Sequence, residues 1–369
     1  MEKTEGKIRY GLIGIGAQGG SYARFLTNAP APFPGMVCAP CPDNCALGAL
    51  CDIDPEKEKM CKEQYPDVPF FKDWKDMIAS GTVDAIITTV PHYLHHEISI
   101  YAMEHGMNVL CEKPAARTYK EALEMQKVQH ETGKVLNIGV VNRFNDSVNL
   151  IKKYIDDGKL GEIYHVHASF RAHRSIPGLG GAFTTKAIAG GGALIDWGVH
   201  YLDIVMYCCG DPKVKTVTGE AFCELGKDMK GYAYTDMWAG PPKYDGTYDV
   251  DDSVVGMIRT EGPVISLHGA WAQNIGVNEC YIDFMGDKGG IRLQYGKDFT
   301  VYSSEYGALT EYKPVFKMRD HFQNEIDAFI DCIKTGKKLP SHIDTVIITA
   351  QMMQAIYDSS EQHKEITLG

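Results

Sequence analysis

Asp196, His200 and Asp203 stand at spacings i, i+4 and i+7 just after the triple glycine Gly190-Gly191-Gly192. On a helix that spacing puts all three on one side. Ile195, Val199, Leu202 and Met206 fall on a neighbouring stripe suited to burial. A carboxylate one turn from an imidazole orients the ring and raises its basicity, which is what a proton-transfer site needs. The same pattern also suits a core histidine satisfied by a local carboxylate, so the chemistry depends on the rest of the chain.

A second constellation lies near the N-terminus. Ile8 to Ile13 reads as a short buried strand, Gly14-Ile15-Gly16-Ala17-Gln18-Gly19 follows at once, and Ser21 to Leu26 reads as a helix. This is G-x-G-x-x-G in strand–turn–helix context. Gly14 allows the tight turn, Gly16 lets backbone approach a pyrophosphate, and Gly19 lets helix pack on strand. Helix N–H groups then face the phosphate. The motif alone is weak, because other glycine-rich turns imitate it. Ala46 to Cys51 reads as a second strand ending at Asp52, where an acid holds the ribose hydroxyls of NAD. Asp54 competes for that role. No arginine follows Asp52 directly, which favours NAD over NADP.

The elements behind these residues alternate. A strand Ala85 to Val90 runs into Pro91-His92-Tyr93-Leu94-His95, a helix Glu97 to His105 follows, and a strand Asn108 to Cys111 runs into Glu112-Lys113-Pro114. Repeated βαβ units predict a parallel, doubly wound sheet with ligands outside the carboxyl ends of its strands. Asp52, Pro91, His95 and Lys113 all fall there, although a lysine after a strand is often only a solvated loop residue. A further strand, Val135 to Val141, places a domain boundary near Gly139: 1–139 for nucleotide binding, 140–369 for substrate binding and oligomerisation.

Together these segments, with Asn142-Arg143-Phe144, resemble the Gfo/Idh/MocA (glucose–fructose oxidoreductase/inositol dehydrogenase-like) family across nearly the whole chain. The resemblance implies an α/β protein: an N-terminal Rossmann domain, then a C-terminal α+β domain with an open, mainly antiparallel sheet that often mediates oligomers. It implies Lys113, Asp196 and His200 as the catalytic set. The cofactor would be NAD, held by Gly14, Gly16, Ala17, Gln18, Gly19 and Asp52, with Val90, Pro91, His95, Glu112, Lys113, Asn142 and Arg143. Substrate would meet Lys113, Arg171, His173, Trp197 and His200, and Asp203 would touch substrate or buttress the helix. Two departures stand out. Val90 replaces the threonine that many members have before the proline, and Ala29–Asn44 is a proline- and cysteine-rich insertion.

Bulk properties narrow the classes. A chain of 369 residues accommodates two domains with proper cores. A net charge of −11 without a basic, aromatic-interleaved stripe speaks against nucleic acid. A charged start leading straight into a strand leaves no room for a signal peptide, and no apolar run reaches the roughly 18 residues of a membrane span. With 11 scattered cysteines, reduced thiols in a cytoplasm are the economical expectation. Cys38, Cys41, Cys45 and Cys51 tempt a zinc assignment, but only Cys38 and Cys41 have C-x-x-C spacing and prolines flank Cys41, so no metal is expected.

Phe170 to Arg174 follows the strand Glu162 to Ser169 and carries either cleft-facing groups or surface salt bridges. Tyr232 to Tyr248 is rich in aromatics and suits a sugar face or an oligomer contact. The helices near 320–335 and 344–362 are assigned packing roles. The combined reading is an NAD-dependent dehydrogenase oxidising a ring secondary alcohol of a sugar or glycoside, C3 favoured. His200 acts as base, Asp196 orients it and Lys113 stabilises the alkoxide, with coupled titrations. The alternatives are an inositol (cyclitol) 2-dehydrogenase, a redox-assisted glycoside hydrolase, a zinc-assisted alcohol dehydrogenase and a non-catalytic NAD-responsive protein.

Overall fold

The computed structural model describes residues 6–27, 41–235 and 237–369, so the first part of the insertion, with Cys38, lies outside the described residues. Two compact units emerge. The first runs to Ala116 and also takes Lys120–Val141 and Arg319–Thr345; the second takes Arg117–Tyr119, Asn142–Met318 and Val346–Gly369.

The first unit is built on β1 (Ile8–Ile13), β2 (Cys45–Cys51), β3 (Phe70–Phe71), β4 (Ala85–Thr88), β5 (Asn108–Glu112) and β6 (Leu136–Gly139), all parallel, in the order β3-β2-β1-β4-β5-β6. The strand order reverses beside β1, which is the switch point where ligands of such sheets bind. Helices α1 (Ala17–Phe25), α2 (Pro55–Gln64), α3 (Trp74–Ala79), α4 (His95–Glu104) and α5 (Tyr119–Thr132) link or flank these strands. The near-continuous burial of β1, β4 and β6 is what a sheet covered on both faces demands. Two expected strands are shorter in the structure. The chain leaves β4 at Thr88, ahead of Pro91, whose missing N–H cannot serve a ladder. After β6, Val141–Phe144 coils into a 3₁₀ turn.

The second unit holds α6 (Asp146–Asp156), α7 (Lys186–Ala189), α8 (Val199–Cys208) and a nine-stranded sheet on which α8 packs. Its strands are β7 (Ile163–Arg171), β8 (Val214–Phe222), β9 (Ser253–Thr260), β10 (Val264–Ala270), β11 (Glu279–Gly286), β12 (Gly289–Gln294), β13 (Phe299–Glu305), β14 (Ala308–Tyr312) and β15 (Ile366–Thr367). The order is β14-β13-β12-β11-β7-β10-β9-β8-β15, antiparallel except for β7 with β10. Alternation sorts its faces. Val166, Ala168, Phe170, Ile265, Leu267, Ile282 and Phe284 point to a buried core shared with Leu202, Val205 and Met206 of α8. The opposite register carries His165, His167, Ser266 and Arg292, with Met257 and Tyr302 exposed. Two last helices are α9 (His321–Thr335), which belongs to the first unit, and α10 (Ile343–Gln362). Among the described residues no helix is long and apolar enough to cross a membrane.

Candidate active site

In the first unit the glycine turn is locked from three sides. Gly14 has φ +88°, its N–H donates to Cys51 O at 2.8 Å, and Thr89 Oγ1 donates to Gly14 O at 2.6 Å. A Cβ on Gly19 would collide with the Gly14 carbonyl, so only glycine allows α1 this close to β1. A Cβ on Gly16 would meet nothing within 4 Å, and Gly16 caps α1 with no side-chain bond. Open backbone at a helix N-terminus is a cradle that fits a pyrophosphate. Ala17 is exposed and Gln18 half-buried beside it.

Asp52 leaves β2 pointing back at this turn. Its Oδ2 accepts from Ile15 N–H at 2.6 Å and its Oδ1 from Asp54 N–H at 2.9 Å. Asp54 instead caps α2 through Glu56 N–H at 2.9 Å, so its carboxylate serves the helix. Ile53 between them is 87% exposed, an apolar side chain left in water beside the acid. Val90 itself carries no hydroxyl, and the hydroxyl of Thr89, one position before it, is used on the Gly14 carbonyl.

His95 departs from expectation. It is buried, with Nδ1 2.8 Å from Pro114 O and Nε2 2.9 Å from Val90 O. Burial lowers its proton affinity while the two facing carbonyls oppose that shift; a neutral ring donates to only one of them, so the imidazole sits wedged between the Val90-Pro91 turn and the Lys113-Pro114 turn. Pro91 is exposed and Lys113 half-buried at the carboxyl end of β5. The Lys113 N–H donates to Glu112 Oε2 at 3.1 Å.

In the second unit the expected simple helix is modified. Leu194–Gly198 forms a π-helical turn that runs into α8 at Val199, so Asp196 and Trp197 sit on a widened turn and His200 on regular helix. Such turns add a residue per winding and shift the faces that a 3.6-residue period would align. Asp251 holds the start of this segment: Gly192 N–H and Leu194 N–H donate to its two oxygens at 2.7 and 2.9 Å, and Tyr357 OH adds a third bond at 2.7 Å.

Asp196 is buried and accepts from Trp271 Nε1–H at 3.3 Å. His200 is half-buried, with Nδ1 3.3 Å from the Asn142 amide, which also lies 3.2 Å from Tyr295 OH. Tyr295 stacks on Tyr201 at 4.7 Å and 16°. Asn142, read from sequence as a cofactor neighbour, thus touches the imidazole. Arg143, also read as a cofactor neighbour, pairs with Asp203. Both side chains are 1% exposed and turned toward each other, with Nε at 3.0 and 3.1 Å and Nη2 at 2.8 Å from the carboxylate. Burial opposes the guanidinium charge, but Asp203 beside it holds Arg143's proton affinity above the ordinary value. For Asp203 this geometry supports the buttress role, not a ligand contact.

Arg171, at the end of β7, pairs with Glu279 at 2.9 Å and bonds Gln273 at 3.0 Å, while His173 Nδ1 lies 3.2 Å from Gln273 O. Trp197 is half-buried. In the aromatic loop Tyr232 is buried, whereas Trp238 and Tyr244 are exposed. Cys41 and Cys45 have sulfurs 3.7 Å apart, Cys51 ends β2, and Cys208 ends α8. Asp251, Trp271 and Tyr295 went unnoticed in the sequence. Only Asp251, in an Asp-Asp pair before a strand, left any local signal there.

Residues 8–140 match the Gfo/Idh/MocA oxidoreductase family with its NAD-binding Rossmann fold, and residues 148–292 match the family's C-terminal domain. The chain belongs to the Gfo/Idh/MocA family and is an NAD-dependent oxidoreductase acting on CH–OH groups. It is 30% identical to a D-glucoside 3-dehydrogenase of Escherichia coli over 87% of this chain and 90% of the relative. A levoglucosan dehydrogenase of Pseudarthrobacter phenanthrenivorans is 29% identical over 78% of this chain and 74% of its own. A solved levoglucosan dehydrogenase with NADH and levoglucosan shares the fold at a TM-score of 0.81, 22% identity, and coverage of 98% and 99%.

Proposed function

We propose that the substrate is a sugar or glycoside, oxidised at a ring secondary alcohol with C3 favoured. The likeness to a D-glucoside 3-dehydrogenase along most of both chains carries this reading. The exposed Trp238 and Tyr244 support it as surfaces on which a pyranose or an aglycone stacks. Lys113, Asp196 and His200 form the catalytic set. His200 takes the hydroxyl proton on Nε2, which requires its own proton on Nδ1. The Asn142 amide then turns its oxygen to the ring and accepts from both His200 and Tyr295, an orientation set by hydrogen bonding. Asp196 holds the segment that carries the imidazole, and Lys113 stabilises the developing alkoxide.

When bound, NAD supplies the hydride acceptor. Gly14, Gly16, Ala17, Gln18 and Gly19 would hold its phosphates, Asp52 its ribose hydroxyls, and Ile53 would offer an apolar face to the adenine. NAD is expected to bind at least about tenfold tighter than NADP, about 1.4 kcal/mol, because the Asp52 carboxylate repels a 2′-phosphate. Calorimetry with both nucleotides checks this, and equal affinities would remove Asp52 from the role.

A panel of hexoses, glycosides and inositols, scored by NADH absorbance and product mass, tests the substrate. Glycosides yielding a 3-keto product support the reading. Inert glycosides beside reactive inositols would replace it with cyclitol oxidation, an activity named for relatives 24% identical over 55% of this chain. The proposal includes a homo-oligomer assembled through the nine-stranded sheet, read by light scattering.

A further inference from the structure

Beneath the Glu112-Lys113-Pro114 turn, Tyr22 of α1, Glu112 of β5 and Glu325 of α9 meet inside the first unit. The Tyr22 hydroxyl lies 3.0 Å from Glu112 Oε1 and 3.2 Å from Glu325 Oε2. Glu325 is 0% exposed, Tyr22 2% and Glu112 8%. A phenol has one proton to donate. Were both carboxyls ionised, one contact would set an oxygen lone pair against a buried carboxylate. Both contacts are hydrogen bonds only if one carboxyl carries a proton and donates it to the phenol oxygen.

The surroundings decide which carboxyl that is. Glu112 Oε2 accepts the Lys113 N–H, its carboxyl also receives the Gln18 side chain, and the Lys113 charge favours its ionised form. Glu325 Oε1 is buried and makes no close hydrogen bond among the described residues; the nearby Asn137 amide favours the ionised form, but less than burial and the Glu112 charge oppose it. A buried charged oxygen without a donor is far costlier than a neutral one. Burial raises both carboxyls, and at Glu325, where the Glu112 charge adds to it, the rise is well above the usual carboxylate range.

We propose that Glu325 is a neutral acid that donates to Tyr22, which in turn donates to ionised Glu112, and that this directed chain positions Lys113 and the Gln18 end of the glycine loop. Glu325 is therefore a positioning residue on a helix whose sequence pattern shows only packing. The positioning role rests on the reading of Lys113 as catalytic; the location of the proton does not.

Three variants of the full-length protein separate the possibilities. Glu325→Gln keeps shape and a donor, Glu325→Met keeps volume without one, and Tyr22→Phe cuts the chain by removing one oxygen. Infrared difference spectra at neutral pH, wild type minus Glu325→Gln, are expected to show a protonated carboxylic acid band that shifts in heavy water. Absence of that band overturns the proposal. This arm needs no substrate, so it stands apart from any failure of the catalytic reading. In turnover, Glu325→Gln is expected to stay within about threefold of wild type, while Glu325→Met and Tyr22→Phe lose about tenfold or more, the worth of one buried hydrogen bond. Thermal midpoints are measured alongside, and Tyr22→Phe carries the test if Glu325→Met does not fold. Equal turnover of the Gln and Met variants would show space-filling alone. A Gln variant as poor as the Met variant would show that Glu325 works ionised. Either result overturns the proposal.

Discussion

Lys113→Ala and His200→Ala are each expected to lower kcat by about 10²–10⁴-fold while leaving NAD affinity nearly intact. The magnitude is that of a general acid–base group, and neither side chain carries the phosphate cradle, which is backbone at Gly14–Gly19. Asp196→Asn should lose about as much as His200→Ala. The Asp196 carboxylate is buried on the Trp271 indole N–H, a bond an amide oxygen would keep, so the loss comes from removing the charge that orients the imidazole. The Lys113→Ala/His200→Ala double variant should lose far less than the product of the single losses, because two groups serving one oxygen act as a unit. Steady-state kinetics with a responsive glycoside, beside NAD titrations, decide the matter. Full additivity, or near-normal turnover of any single variant, would reassign the set to packing.

The largest effect on stability should come from Arg143 and Asp203. Each is 1% exposed and the pair shares three hydrogen bonds. Removing one partner strips a buried charge of its main counter-ion, so Arg143→Met and Asp203→Leu should each cost about 3–5 kcal/mol in denaturant unfolding. The double variant should recover much of that, since replacing both charges removes the desolvation penalty with them. Asp211 lies 3.6 Å from the same guanidinium and Tyr207 stacks over it, so recovery will be partial. Because Asp203 and His200 share α8, single variants should also lose activity before they unfold. A single variant within about 1 kcal/mol of wild type would show that the pair is worth no more than a surface bridge.

Much of this protein was legible along the chain because its signals are local. The glycine turn reads correctly because turn, approach and packing are decided by residues within one strand–turn–helix unit. The αβ alternation reads correctly because burial on two faces leaves continuous apolar runs. Other features needed the folded chain. Nothing in the spacing of Asp196 and His200 announces the π-helical turn. That turn depends on Asp251, far along the chain, capping the segment at Gly192 and Leu194. Nor does it show that Arg143 faces Asp203 and Asn142 faces His200, or that His95 is a strut between two carbonyls.

The sequence pattern of α9 shows only packing, and it is the fold that brings Glu325 against Tyr22 and Thr89 onto the Gly14 carbonyl. The physical reason is the same in each case. Periodicity and propensity say which side chains share a face of their own element. The partner that satisfies a buried charge or a ring nitrogen comes from another element, and only the packing of elements within each unit chooses it.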